Sequence, residues 1–197
     1  LKKSVDLIIP ENGFISLNIP STFSRMGTSS TRTTHPHYMS LFQKLLEIID
    51  IPVRLVNPYQ FKTKGEMLLE CRNQTFVKNN LTNTMSCSHP DIGRMQKETE
   101  ARHCGYCLPC VTRQAAILRA GMTDKSSYRD NKFTGGKVSR TNLNSYLLGI
   151  RRFDSKYAFM TIQSSGSITN NIMDYTNLYI RGMNELKTYL EALNDEV

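Results

Sequence analysis

Apolar residues recur at every third or fourth position in several parts of the chain, which is the spacing of helices with one buried face. The pattern predicts helices over residues 37–49, 66–69, 111–120, 142–153 and 170–193. Pro36 suits the first turn of the first helix, and Thr63 is placed to cap the second. The last helix lacks a sustained heptad repeat, so we expect it to pack back onto the domain rather than onto a coiled-coil partner.

Two short runs have the composition of β-strands. One covers residues 14–19, between the turn sequence Glu11-Asn12-Gly13 and Pro20, and the other covers residues 51–56 and ends at Asn57-Pro58. A Ser/Thr-rich loop over residues 21–34 and the first helix lie between them. This order of strand, helix and strand predicts a parallel pair in an α/β fold.

The cysteines form the strongest pattern. Cys104, Cys107 and Cys110 follow one another at C-x2-C spacing, and Cys87 lies upstream. Gly105 and Pro109 favour a tight turn on which three thiolates converge, and a fourth completes a tetrahedron. We therefore predict a closed structural zinc site, in which His89 or His103, each near one of the cysteines, could substitute for one of the four ligands. The fifth cysteine, Cys71, is interpreted as a small core residue.

Charge and composition narrow the class of protein. A net charge of +8 with 39% hydrophobic residues indicates a globular basic chain, and no apolar run approaches the length of a membrane span. Metal-type cysteine spacing favours a reducing compartment, so a cytoplasmic protein is expected. The basic charge fits a protein that binds nucleotides or nucleic acid. However, lysines and arginines are dispersed and tryptophan is absent, which argues against the hypothesis of nucleic-acid binding.

Several of these motifs together resemble one enzyme family. Ser86-Cys87, the Cys104–Cys110 knuckle and Arg113 are similar to the C-terminal zinc region of 7-cyano-7-deazaguanine synthases, the QueC-type enzymes of queuosine biosynthesis. Residues 53–69 resemble that family's strand, proline and Thr-Lys-x-Glu helix, and residues 35–38 resemble the start of its preceding helix. The resemblance covers residues 14–121 and is nearest to QueC-like subunits of bacterial anti-phage defence systems.

The resemblance implies a fold and a domain organisation. It implies a Rossmann-like parallel sheet of the adenine nucleotide α-hydrolase type, with residues 1–121 forming the C-terminal part of that domain, a zinc knuckle over 85–113, and a mostly helical extension over 122–197. The family's ATP pyrophosphatase loop, Ser-Gly-Gly-x-Asp-Ser, does not occur in the sequence, which begins with Leu1. We therefore expect the C-terminal part of a longer protein, with an exposed sheet edge that the missing N-terminal half would cover.

The resemblance also implies a reaction and its partners. Family members adenylate the carboxylate of a 7-deazaguanine with ATP and Mg²⁺, and ammonia then displaces AMP to build an amide and finally a nitrile. Lys64 matches the Thr-Lys-x-Glu lysine and is the expected catalytic contact to phosphate or substrate, while Arg32 and His35 lie on a loop expected at the nucleotide-binding edge of the sheet.

Two departures from the family stand out. The Cys87–Cys104 spacing is about twice that expected of the family, and residues 91–102 are predicted to form a charged helical insertion. Thr33 and Thr34 stand where the family is expected to have acidic and cysteine residues. The extension is a candidate docking segment for a protein partner. A zinc-ribbon nucleic-acid-binding module and a catalytically inactive scaffold subunit remain the alternatives.

Overall fold

The fold combines a small parallel sheet with helices, in a computed structural model that describes residues 4–21 and 33–195. The strands are β1 (Val5–Ile8) and β2 (Val53–Val56). The helices are α1 (Gly13–Leu17), α2 (Pro36–Ile48), α3 (Lys64–Leu69), α4 (Gln74–Asn80), α5 (Leu108–Arg119), α6 (Lys137–Arg152), α7 (Ala158–Ser165) and α8 (Ile172–Asp195). Short 3-10 helices cover Leu81–Asn83, Ile92–Gln96 and Ser155–Tyr157.

The sheet has the predicted parallel pairing but a different first strand. β1 pairs with β2 in parallel, with Val5 opposite Val53 and Ile8 opposite Val56. The strand predicted over residues 14–19 is wrong, because α1 occupies most of that run. The Asn12 side chain accepts a hydrogen bond from the Ile15 amide and so caps a helix there.

A close backbone approach fixes α1 in place. The Gly13 amide donates to the carbonyls of Tyr59 and Lys62 at 3.0 and 2.9 Å, and a Cβ at Gly13 would lie 1.9 Å from the Gln60 carbonyl oxygen. Only glycine fits this contact. Local composition favoured a strand, and tertiary hydrogen bonds together with the cap overrode it.

The two edges of the sheet differ. On the β2 side the Gln43 amide donates to the Val53 carbonyl at 3.1 Å and accepts from the Leu55 amide at 2.8 Å, so this side chain takes the place of a neighbouring strand. The described residues supply no such cover for β1, whose Leu7 and Ile8 are 49% and 53% exposed. The sheet can therefore accept another strand on the β1 side.

The chain divides into two compact units, each built from separated segments. Unit 1 comprises residues 1–63 and 153–182, and its most buried side chains include Leu17, Ile162 and Leu178. Unit 2 comprises residues 64–152 and 183–197, and its buried core includes Val111 and the cysteine knuckle. These boundaries do not follow the expected break after residue 121.

The periodic helices are confirmed in α2, α3, α5 and α8, while α6 begins earlier than predicted, at Lys137. Pro36 is in the first turn of α2 as expected. The insertion over residues 91–102 contains only a 3-10 helix, and α4 and α7 were not predicted. No helix in the described ranges is both long enough and apolar enough to span a bilayer.

Candidate metal centre

A tight turn followed by the start of α5 presents three of the cysteines. Cys107 is the N-cap of α5, Pro109 lies in its first turn, and Cys110 follows at once. Gly105 has φ of 93°, and a Cβ there would lie 2.4 Å from the Asp130 carbonyl oxygen, so the turn requires glycine. The predicted knuckle geometry is therefore present.

The four predicted cysteines come together. The sulfurs of Cys87, Cys104, Cys107 and Cys110 all lie within 4.8 Å of one another. Cys104 and Cys110 are 3.9 Å apart, and Cys107 and Cys87 are 4.0 Å apart. A tetrahedral ion with sulfurs about 2.3 Å away has sulfur–sulfur separations of about 3.8 Å. The cluster can hold a metal ion with little rearrangement.

Backbone amides point at the sulfurs. The Cys104 amide donates to the Cys87 sulfur at 3.2 Å, the Cys107 amide donates to the Cys104 sulfur at 3.3 Å, and the His89 amide donates to the Cys87 sulfur at 3.3 Å. Such bonds favour the thiolate, which is the form that binds metal. His89 thus supports a ligand through its backbone.

Proton sharing among the thiols is consistent with a metal site. Hydrogen bonds with Cys104 and Cys110 lower the pKa of Cys107, while hydrogen bonds with Cys104 and Cys107, together with burial, raise the pKa of Cys110. The contact with Cys107 also raises the pKa of Cys104 to about 11. Without metal, one thiolate is held among protonated thiols, so a bound cation would displace their protons.

His103 lies beside the cluster but does not belong to it. Its ring is 3% exposed and stacks at a tilt on Tyr128, and its Nδ1 is 3.9 Å from the Cys110 sulfur. Burial, together with the charge of Arg113, lowers the pKa of His103 and favours the neutral ring. The four sulfurs already supply a complete tetrahedral set.

Arg113 joins the segments around the cluster. Its guanidinium donates to the Thr84 hydroxyl at 2.6 Å, the Leu81 carbonyl at 2.5 Å and the Ser126 hydroxyl at 2.9 Å. It is 4% exposed and lies 3.8 Å from the Asp124 carboxylate. One α5 side chain therefore ties the segment before Cys87 to the segment after α5.

The remaining predicted site residues are not members of the cysteine cluster. Lys64 begins α3 in unit 2, and its Nζ donates to the Ser86 hydroxyl at 3.1 Å, next to Cys87. His35 in unit 1 is 2% exposed; its Nδ1 accepts from the His37 amide and its Nε2 contacts the Ser165 hydroxyl. The Nδ1 atom thus caps α2, and the Nε2 atom contacts a distant segment of the same unit. Arg32 lies outside the described residues, and the ligand roles of all three residues stay predictions.

Unit 1 also contains a cavity that the sequence did not reveal. It has a volume of about 360 Å³ and lies at the carboxyl end of β2, beside Leu55 and Asn57. The first half of α2 and the loop over residues 167–171 form its walls, with Ser16 and Lys44 among the lining residues. These residues share no spacing pattern, so no motif could have identified them.

Comparisons with protein-family models, with curated proteins and with solved structures gave no match to this chain.

Proposed function

We propose that this chain is the metal-bearing part of an ATP-dependent 7-deazaguanine-processing enzyme of the 7-cyano-7-deazaguanine synthase type. The observation that carries the proposal is the four-cysteine cluster, which closes on the same residues whose spacing resembles that family. The proposed fold is the Rossmann-like adenine nucleotide α-hydrolase type, and the parallel pairing of β1 and β2 supports it.

The proposed ion is zinc in a structural role. Four cysteine sulfurs form the soft donor set that zinc takes in closed sites, and three of the four residues are buried. A closed set leaves no position for a reacting water. The ion would hold the segments before and after residues 87–110 in place, and catalysis would depend on other residues.

The proposed reaction begins with attack of the substrate carboxylate on the α-phosphorus of ATP, which releases pyrophosphate and leaves an acyl adenylate. Ammonia then attacks the acyl carbon, AMP leaves and an amide forms. The amide oxygen would next attack the α-phosphorus of a second ATP and release pyrophosphate, and departure of AMP with the amide oxygen, together with loss of the nitrogen protons, would give the nitrile. Mg²⁺ and cationic side chains would offset the charge of the departing pyrophosphate. Lys64 is the proposed cation of this chain.

The test uses the full-length protein that contains these residues, with ATP, Mg²⁺, ammonium and 7-carboxy-7-deazaguanine. We expect pyrophosphate release that requires the deazaguanine, and a nitrile or amide product by mass spectrometry. Zinc-loaded full-length protein that releases no pyrophosphate in response to the substrate would overturn the proposal. The chain of residues 1–197 alone should neither bind ATP tightly nor release pyrophosphate.

Cysteine variants separate the role of the metal from general damage. Cys107→Ser should lose both the bound ion and the activity, whereas Cys71→Ser should keep both, because Cys71 is outside the cluster. Equal activity of Cys107→Ser and the unmodified protein would remove the metal from the proposal.

A further inference from the structure

We propose that the exposed face of α6 binds double-stranded DNA, with its basic side chains against the phosphates of the two strands. The helix lies in unit 2, so the proposal concerns that unit alone. It adds a binding activity to the reaction proposed above and does not depend on it, because neither ATP nor the deazaguanine takes part.

The first argument is a local excess of positive charge. Basic residues are dispersed along the whole chain, but residues 131–152 contain five Lys and Arg and no Asp or Glu. This stretch therefore carries +5 of the chain's net charge of +8. The basic residues within α6 itself are Lys137, Arg140, Arg151 and Arg152.

The fold does not use most of this charge. Lys137, Arg140 and Arg151 are exposed, and their side chains form no ion pair or hydrogen bond with any described residue. The carboxylates that precede and follow the helix along the chain, Asp130 and Asp154, both accept hydrogen bonds from nearby backbone amides. The cations of α6 are therefore available to an external anion.

The second argument is the arrangement of the cations on one face. The helix buries its other face, which carries Ser139, Asn142 and Tyr146. At 3.6 residues per turn, the basic residues lie on the opposite side, two in the first turn and two in the last. About 21 Å of helix separates Lys137 from Arg151. Exposed Thr141 and Asn144 lie between the two pairs of cations.

These dimensions fit the major groove of B-form DNA. The groove is about 12 Å wide and admits one α-helix, so the two ends of α6 would reach the two phosphate backbones that border it. Thr141 and Asn144 would then face the base edges, with which hydroxyl and amide groups form hydrogen bonds. The deep, narrow major groove of double-stranded RNA does not admit such side chains. Single strands are bound by stacking on aromatic rings, and Tyr146, the one aromatic residue of α6, is buried.

The cysteine knuckle supports α6 from its buried side. The Tyr146 hydroxyl donates to the Tyr106 carbonyl at 2.9 Å, and Tyr106 packs against the cysteines. The Asp130 amide donates to the Cys104 carbonyl at 3.1 Å, and the Asp130 carboxylate accepts from two amides of the turn that leads into the helix. These contacts fix α6 on the knuckle and leave its basic face outward.

The test measures binding of the metal-loaded chain to a fluorescently labelled DNA duplex by anisotropy. The duplex spans about 20 base pairs, or two helical turns, and salt is varied from about 50 to 200 mM. We expect the affinity to fall steeply with salt. RNA duplex and single-stranded DNA of the same sequence should bind at least about fivefold more weakly, which corresponds to the loss of one good base contact. Equal or tighter binding of either competitor would overturn the proposal.

A double variant and a matched control locate the surface. Arg140→Gln with Arg151→Gln removes two of the proposed phosphate contacts, so the slope of log affinity against log salt should become shallower by about 1.8. The control, Arg72→Gln with Lys78→Gln, makes the same change in net charge at exposed residues of unit 2 outside α6 and should alter the slope little. Equal changes in both double variants would show attraction by net charge alone and would contradict the α6 surface.

A third variant separates lost contacts from damage to the fold. Arg140→Lys with Arg151→Lys keeps both charges, so it should keep the slope of the unmodified chain, because phosphates are recognised here through charge. Loss of the slope in this variant would also overturn the proposal. The Gln variant should melt close to the unmodified chain, since it removes one cation from each end of the helix and the two effects on the helix dipole oppose each other.

Discussion

Replacing Arg113 tests whether one buried side chain holds together the segments around the four-cysteine cluster. It lies on α5 three residues after Cys110, and its guanidinium spans the carbonyl of Leu81 and the hydroxyls of Thr84 and Ser126. Arg113→Met keeps much of the volume but removes the charge and every donor. Residues 81–84 and 124–126 then lose their shared anchor.

The size of the effect follows from burial. Removing one partner of a buried ion pair costs about 3–5 kcal/mol, because the other partner stays buried without compensation. Here that partner is Asp124, whose side chain is 15% exposed and still accepts hydrogen bonds from Tyr128 and the Ser126 amide. We therefore expect the free energy of unfolding to fall by about 3 kcal/mol, near the lower end of that range, and the melting temperature to fall by roughly 6–12 °C.

The assay is calorimetric unfolding of the metal-loaded chain, with metal release measured against a colorimetric chelator. Arg113→Met should also release the ion faster, since the segment before Cys87 loses its anchor to α5. Arg113→Lys should be intermediate, and adding Asp124→Asn to Arg113→Met should cost less than the sum of the two single changes.

A surface pair provides the control for Arg113. Arg54 and Asp6 form an exposed ion pair at 2.7 Å, and Arg54→Met should change the melting temperature little. If Arg113→Met melts within about 1 °C of the unmodified chain and keeps its ion equally well, the bracing argument is refuted.

Cys107→Ser should abolish metal binding and unfold residues 85–121 at physiological temperature. Amide hydrogen exchange should show lost protection in this segment for Cys107→Ser and unchanged protection for Cys71→Ser. Metal affinity should fall as pH falls, because the pKa values of Cys104 and Cys110 are raised and a binding ion must displace the protons of both thiols. A metal affinity that calorimetry finds independent of pH would contradict this prediction. In the longer protein proposed above, Lys64→Ala should slow pyrophosphate release at least roughly tenfold with metal content unchanged, and full activity would exclude this lysine from the proposed mechanism. Leu7→Pro should lower the melting temperature by roughly 3 °C or more, because the Leu7 amide faces β2 in the observed register. Ile8→Pro should lower the melting temperature less, because the Ile8 amide faces the uncovered edge of the sheet. Equal losses from the two variants would contradict that register.

The four-cysteine cluster could be predicted from the sequence because its geometry is mostly local. Three ligands lie within seven residues, and the turn between them depends on Gly105 and on the start of α5. Periodic apolar residues likewise identified α2 and α8, whose buried faces follow helical spacing. Patterns within short stretches of sequence therefore suffice to predict the cysteine turn and these two helices.

Contacts between segments that are distant in the sequence could not be predicted from it. The strand predicted over residues 14–19 failed because Gly13 bonds to carbonyls near residue 60, and no local pattern reports such a contact. The sequence also offers no sign that the His35 ring contacts Ser165, 130 positions away. Lys44 and Ser16 come together at the cavity without any shared motif.

The interleaving of the two units has a consequence for any attempt to separate the cluster from the extension. A cut after residue 121 would remove Ser165, which contacts the buried His35 ring in unit 1. It would also remove Glu185, which is 4% exposed in unit 2 and pairs with Arg119 at 2.9 Å. Unit 1 would thus lose a contact of the buried His35 ring, and unit 2 would lose the buried carboxylate that pairs with Arg119, which would keep the longer contact with Glu66 at 3.6 Å. Losing buried polar contacts costs more than losing exposed ones. The extension is therefore structural in both units, whatever ligand or partner it also serves.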